Sequence, residues 1–339
     1  MMNFRTISLL GSFLVFLSTF LLAGNPASGQ EAPVSCLASS IPFETSTLER
    51  IVRETEAVLE QGRAFWEAER PLILAQGWAD EVRSPNPYER FQASVEGLAA
   101  LSESDRASHP MVRMTDEIIA RQEEWQEAAI PHLCSFFPQD VDLSRPAYFV
   151  AFIPPRAFAT SEGIVIDVAA DYWNGDSGNI LNMMIHEFFH VGYGQLRPHR
   201  TEAPLESDRL NSMVESIQNE GMAVWVANEA RRAFPAPGEV DNRLLDSPED
   251  VADLRTALNG LFERSSTISD DQLRRQSWRV GVTNRAYYIV GAHMARVILA
   301  ERGKEALVET LEEGPLSYIR LYNSLVPEEE RVRVPGLAP

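Results

Sequence analysis

Apolar positions recur at helical spacing along most of the chain. In residues 46–66, Leu48, Ile51, Val58 and Leu59 define one face, and Ser46 or Thr47 can cap the helix they predict. Residues 87–101 and 112–129 carry the same period, with Pro110 and Pro131 punctuating the second. The texture changes at AYFVAFIP (147–154) and GIVIDVA (163–169). Both are rich in β-branched and aromatic residues and read as strands, adjacent in a small sheet and separated by a Pro/Gly-containing loop. After Asp176 the helical period returns over 179–193, 209–234, 248–264, 283–302, 304–313 and 315–323. The last stretch, VPEEERVRVPGLAP, has no apolar period and reads as an exposed tail. The pattern therefore predicts an α+β protein, predominantly α-helical, with a small central β-sheet. It divides into a helical N-terminal region (30–140), a region with the strands and later helices (141–325) and the tail (326–339). The N-terminal helices either form a subdomain or pack on the rest.

Residues 1–29 differ from everything after them. Arg5 precedes an apolar run from Ile7 to Ala23, and Ala27-Ser28-Gly29 offers small residues for cleavage. This is the pattern of a secretory signal and predicts a periplasmic or secreted protein; an uncleaved N-terminal anchor is the competing reading. No stable membrane association is expected after cleavage. Cys36 and Cys134 are the only cysteines of the 339 residues. Outside the cytoplasm they can form one disulfide, or they can be two separate buried thiols. The formal net charge of -19 opposes binding of nucleic acid or anionic lipid, and it favours basic or neutral substrates.

The chemistry concentrates in IHEFFHVGYG (185–194). On a helix, His186 and His190 stand at i and i+4 on one face, so both rings can reach one ion. Glu187 lies about 100° around the helix. It is badly placed as a ligand but well placed to take a proton from water activated by that ion. Phe188 and Phe189 would pack the helix inward, and Gly192 and Gly194 would end it. The alternative is a core helix with satisfied histidines.

A catalytic zinc needs a third protein ligand and an open position. His199 lies in a polar RPHR stretch, and Tyr193 and Leu196 occupy the positions where a metzincin would carry glycine and histidine. The next helical pattern, NSMVESIQNEGMAVWVANEA, places Glu220 on the apolar stripe of Met213, Ile217 and Val224, whereas Glu215 and Glu229 fall off it. A carboxylate on that stripe needs a partner, either a bound cation or an arginine.

HEFFH followed by NEGMA resembles the gluzincin metallopeptidases, the group that includes the thermolysin and aminopeptidase-N families. The resemblance covers roughly residues 145 to 325. It implies a thermolysin-like catalytic region binding one Zn²⁺ per chain, with His186, His190 and Glu220 as ligands and Glu187 as general base. Asn219, Gly221 and Ala223 complete the second motif, and an insertion around RPHRTEAPLESDR lengthens the gap. The stretch YIVGAHMARVILAERGKEAL is similar to an aminopeptidase segment whose tyrosine donates to the oxyanion. Tyr288 takes that place, with Tyr287 and His293 as substitutes. GIVIDVAADYW offers no glutamate where aminopeptidase N uses one to bind a substrate N-terminus. Its strand would still be able to pair with an extended peptide.

The expectation is an extracytoplasmic zinc metallopeptidase acting on a peptide or protein. Two rivals stand beside it: a zinc hydrolase of non-peptide esters or amides, and a non-catalytic helical binding module.

Overall fold

The computed structural model describes Cys36 and residues 40–337, except 75–85, 139, 153–156, 161, 171–172, 174, 200–202, 206, 234 and 236–239. The segment expected to be a secretory signal (1–29) lies outside the described residues. The chain is predominantly α-helical with one four-stranded sheet.

The expected first helix is three. It breaks into α1 (Ser46–Arg53), α2 (Thr55–Gln61) and α3 (Arg63–Leu74), at Glu54 and at Gly62, whose φ of 51° suits glycine. Then come α4 (Pro87–Ala99), α5 (Glu103–Ser108) and α6 (Pro110–Cys134). Pro110 opens α6 as expected, but Pro131 lies inside its last turn and does not stop it. The sheet consists of β1 (Phe43–Glu44), β2 (Ala147–Val150), β3 (Ala157–Thr160) and β4 (Gly163–Asp167), in the order β1-β2-β4-β3. The two expected strands pair in parallel, and β3 runs antiparallel to β4 within the stretch read as loop. The position of β4 between β2 and β3 corrects another expectation: both its edges are paired, and β1 and β3 are the edge strands.

Two long helices carry the site. α7 (Ser177–Leu196) starts where the Asp176 carboxylate accepts from Gly178 N–H, and α8 (Asp208–Ala230) starts where Ser207 caps Leu210 N–H. α7 is buried on nearly every face from Ser177 to Tyr193, as a helix apolar all round must be. It packs against the sheet through β3 and β4, against α6 and against α8. Gly192 and Gly194 do not end it. Gly192 is mid-helix because a Cβ there would lie 2.4 Å from the Phe137 ring.

After α9 (Val240–Leu245), α10 (Pro248–Arg264) and α11 (Asp270–Ser277), a π-helical turn (Trp278–Thr283) leads into α12 (Ala286–Glu313), followed by α13 (Pro315–Leu325). The two helices expected at 283–302 and 304–313 are one element kinked at Gly303. α8 is sandwiched between α7 and α12. At the α8–α12 crossing the backbones touch: a Cβ on Gly221 would sit 2.3 Å from Gly291 Cα. Hydrogen bonds fasten the layers. Asn182 donates to Ala227 O (2.6 Å), Tyr193 to Gln218 Oε1 (3.0 Å) and Gln218 to Thr310 O (2.8 Å).

The N-terminal helices pack on the rest within one compact unit. β1 joins the common sheet, and Cys36 is disulfide-bonded to Cys134 at the end of α6. The C-terminal stretch is not simply an exposed tail. Val332 and Val334 are buried, Asn259 bonds the backbone at Arg331 and Arg333, and Asn323 bonds it at Val332. No helix among the described residues is long and apolar enough to cross a membrane.

Candidate metal centre

His186 and His190 project from one face of α7 with rings 4.7 Å apart and nearly perpendicular. Glu220 reaches them from α8. The two Nε2 atoms are 3.1 Å apart, and Glu220 Oε2 lies 3.6 Å from that of His186 and 3.4 Å from that of His190. Tetrahedral zinc, with bonds near 2.0–2.2 Å, separates its ligand atoms by about 3.3 Å. The three donors match that spacing, so the residues present fit the ion. The partners of Glu220 are thus two imidazoles, not an arginine; Glu215 and Glu229 pair with Arg197 and Arg232.

Asn219 fixes the chemistry of one ligand. Its Oδ1 accepts from His190 Nδ1–H at 2.9 Å, which points Nε2 towards the cluster. Burial disfavours charge on both His190 and Glu220, but their attraction prevails. The pKa of His190 is drawn up to about 9 by Glu220, and the Glu220 carboxyl is held well below the usual range by His190, then His186. A cation bound among them would supply the positive charge that the His190 proton otherwise brings.

The cluster lines a cleft of about 1090 Å³, which Glu187 and Tyr288 also line. Tyr288 stacks along His186 (centroids 6.4 Å apart, planes 12° apart). Burial, then the charge of Glu220, raises its hydroxyl pKa, so it stays protonated and able to donate. The substitutes fare worse. Tyr287 lines the cleft, but its hydroxyl is bonded to Ser277 Oγ at 2.6 Å. His293 is outside the cleft, packed on Tyr322 and accepting from Arg296.

One pair had no signal in the sequence. Arg285 holds the left-handed conformation (φ 69°) at the start of α12, a strained choice for a non-glycine residue. Its guanidinium is clasped by both carboxylate oxygens of buried Asp241 and lies 3.3 Å from the centre of the Tyr288 ring, holding that ring in place.

His186, His190 and Glu220 form a group that could hold a metal ion, and Glu187 lies beside His186 on the same helix. The chain belongs to the family described as "Putative zinc dependent peptidase (DUF5700)", whose model matches residues 100–330. The match begins within the helical region that precedes the strands. No curated protein and no solved structure matches the chain.

Proposed function

We propose that the chain is an extracytoplasmic, gluzincin-type zinc peptidase, with His186, His190 and Glu220 holding one zinc per chain and Glu187 as general base. The observation that carries this reading is the zinc-compatible spacing of three donors that line a cleft with Glu187 and Tyr288. Zinc, when bound, supplies the Lewis acidity that brings the pKa of water near 7 and polarises a carbonyl. A Glu187 carboxylate oxygen takes the proton of the attacking water and returns it to the leaving amine. The Tyr288 hydroxyl donates to the carbonyl oxygen as negative charge develops there. Ala157–Ala159 of β3 line the same cleft, and an edge strand can hold an extended peptide by main-chain hydrogen bonds. That favours a peptide over a small ester. The Cys36–Cys134 disulfide and the signal-like segment support an oxidising, extracytoplasmic location.

The test is metal content by mass spectrometry on wild type and Glu220→Gln, with peptide hydrolysis measured on the same samples. One zinc per wild-type chain, mostly lost in the variant, with chelator-sensitive hydrolysis, is the expected result. Absence of zinc after reconstitution sinks the proposal.

A further inference from the structure

The chain is strongly acidic, yet the cleft is not. Its lining holds Arg209, Arg274, Arg275, Arg279 and Arg285, and its only carboxylates among the described residues are Glu187 and Glu220. Two of the five arginines are answered: Arg285 by Asp241, and exposed Arg274 by Asp271 at 3.5 Å. Arg209, Arg275 and Arg279 make no ion pair among the described residues. Arg209 Nε is buried with no hydrogen-bond partner, a donor without an acceptor beside an open cleft. Arg275 and Arg279 stand four residues apart, across the junction of α11 and the π-turn. Between them is Trp278, 51 % exposed and the one large exposed hydrophobic residue among those described. Like charges gathered around one cleft repel one another, and a chain with 49 acidic residues had ample means to neutralise them. Lined this way, the cleft draws anions in while the acidic exterior repels them.

We infer that these arginines form a carboxylate subsite, so that the cleft selects peptides carrying an acidic side chain or a free C-terminal carboxylate. The inference rests on the peptidase reading above for what happens to the bound peptide. It reverses the preference for basic or neutral substrates that net charge alone suggests.

Four quenched-fluorescence peptides of one sequence test it, with Glu or Gln inside and a free or amidated C-terminus. Zinc-loaded protein should turn over the acid-bearing forms with kcat/KM at least about tenfold higher, and the preference should shrink in 1 M salt. Glu preference in amidated peptides identifies the side chain as the anion; loss on amidation alone identifies the C-terminus. In Arg275→Glu/Arg279→Glu the ratio should fall to near one or invert, and Arg275→Lys/Arg279→Lys should keep it. Equal turnover of all four peptides, or an unchanged ratio in the charge-reversed variant, overturns the subsite. Anisotropy titration of labelled peptides on zinc-loaded Glu187→Gln separates the two readings. Acid-selective, salt-sensitive binding that the charge reversal abolishes, with no peptide ever cleaved, removes the peptidase reading and keeps the subsite. Cleavage indifferent to charge, with equally indifferent binding, does the opposite.

Discussion

On one wall of the cleft, His186 and His190 sit one turn apart on α7, and Glu220 arrives from the following helix. On the other wall, Tyr288 reaches its place beside Arg285, which is held by Asp241 from 44 residues upstream. The first wall is written in short spacings: i,i+4 on a buried helix, and a carboxylate on an apolar stripe. The second is assembled by tertiary contact, with a strained backbone position and a buried ion pair carrying the geometry. Metal ligation can therefore tolerate changes that ruin the far wall, and the two can be separated by mutation.

The sharpest break is Asp241→Ala. It leaves the partly buried Arg285 guanidinium without its carboxylate, which costs up to about 3 kcal/mol. Urea unfolding should register that loss, while zinc content, measured under conditions where the variant stays folded, should hold near the wild-type level. Equal losses of zinc and stability would mean that the walls are one unit. Tyr288→Phe removes only a hydroxyl. If that hydroxyl meets the developing oxyanion, kcat should drop by about 10²–10³ at unchanged zinc affinity; a change of less than threefold would return Tyr288 to the role of a packing aromatic. Gly221→Ala is the mildest change. It pushes α8 off α12 at their closest point, for an expected loss of about 1–3 kcal/mol. Because Gly221 adjoins Glu220, zinc affinity should weaken too, visible in chelator competition; a stable variant with full affinity would contradict the contact.

The difference between the walls also explains what could be read from the sequence. The helical period located α7, α8, α10 and α13 to within a few residues, and it put Glu220 on the inner face of α8. β3 escaped notice because AFAT is too short and too small to stand out as a strand. Its position, which makes β4 internal, is a property of the sheet and not of either segment. The arginines of α11 and the π-turn look in sequence like an ordinary solvated face. Only the fold shows that they converge on a cleft. Asp241 and Arg285 carry no mutual spacing at all. Pro131 and Gly192 misled because each is a helix-stopping residue in general, yet α6 runs on for three residues past Pro131, and Phe137 claims the space beside Gly192.

The backbone contact between Gly221 and Gly291 bears on motion as well as on packing. A Cβ on Gly291 would come within 2.1 Å of Ile217 O, so α8 and α12 meet with no side chain between them at that point. Glu220 is one residue from the contact on one helix, and Tyr288 is three residues from it on the other. Most helix pairs are spaced by side chains, which hop between rotamers and let the gap breathe. Here the spacer has no rotamers. The separation between the carboxylate and the phenol is set by a joint with almost no thermal play, so the span of the site should vary little with temperature even where the surrounding cleft opens and closes.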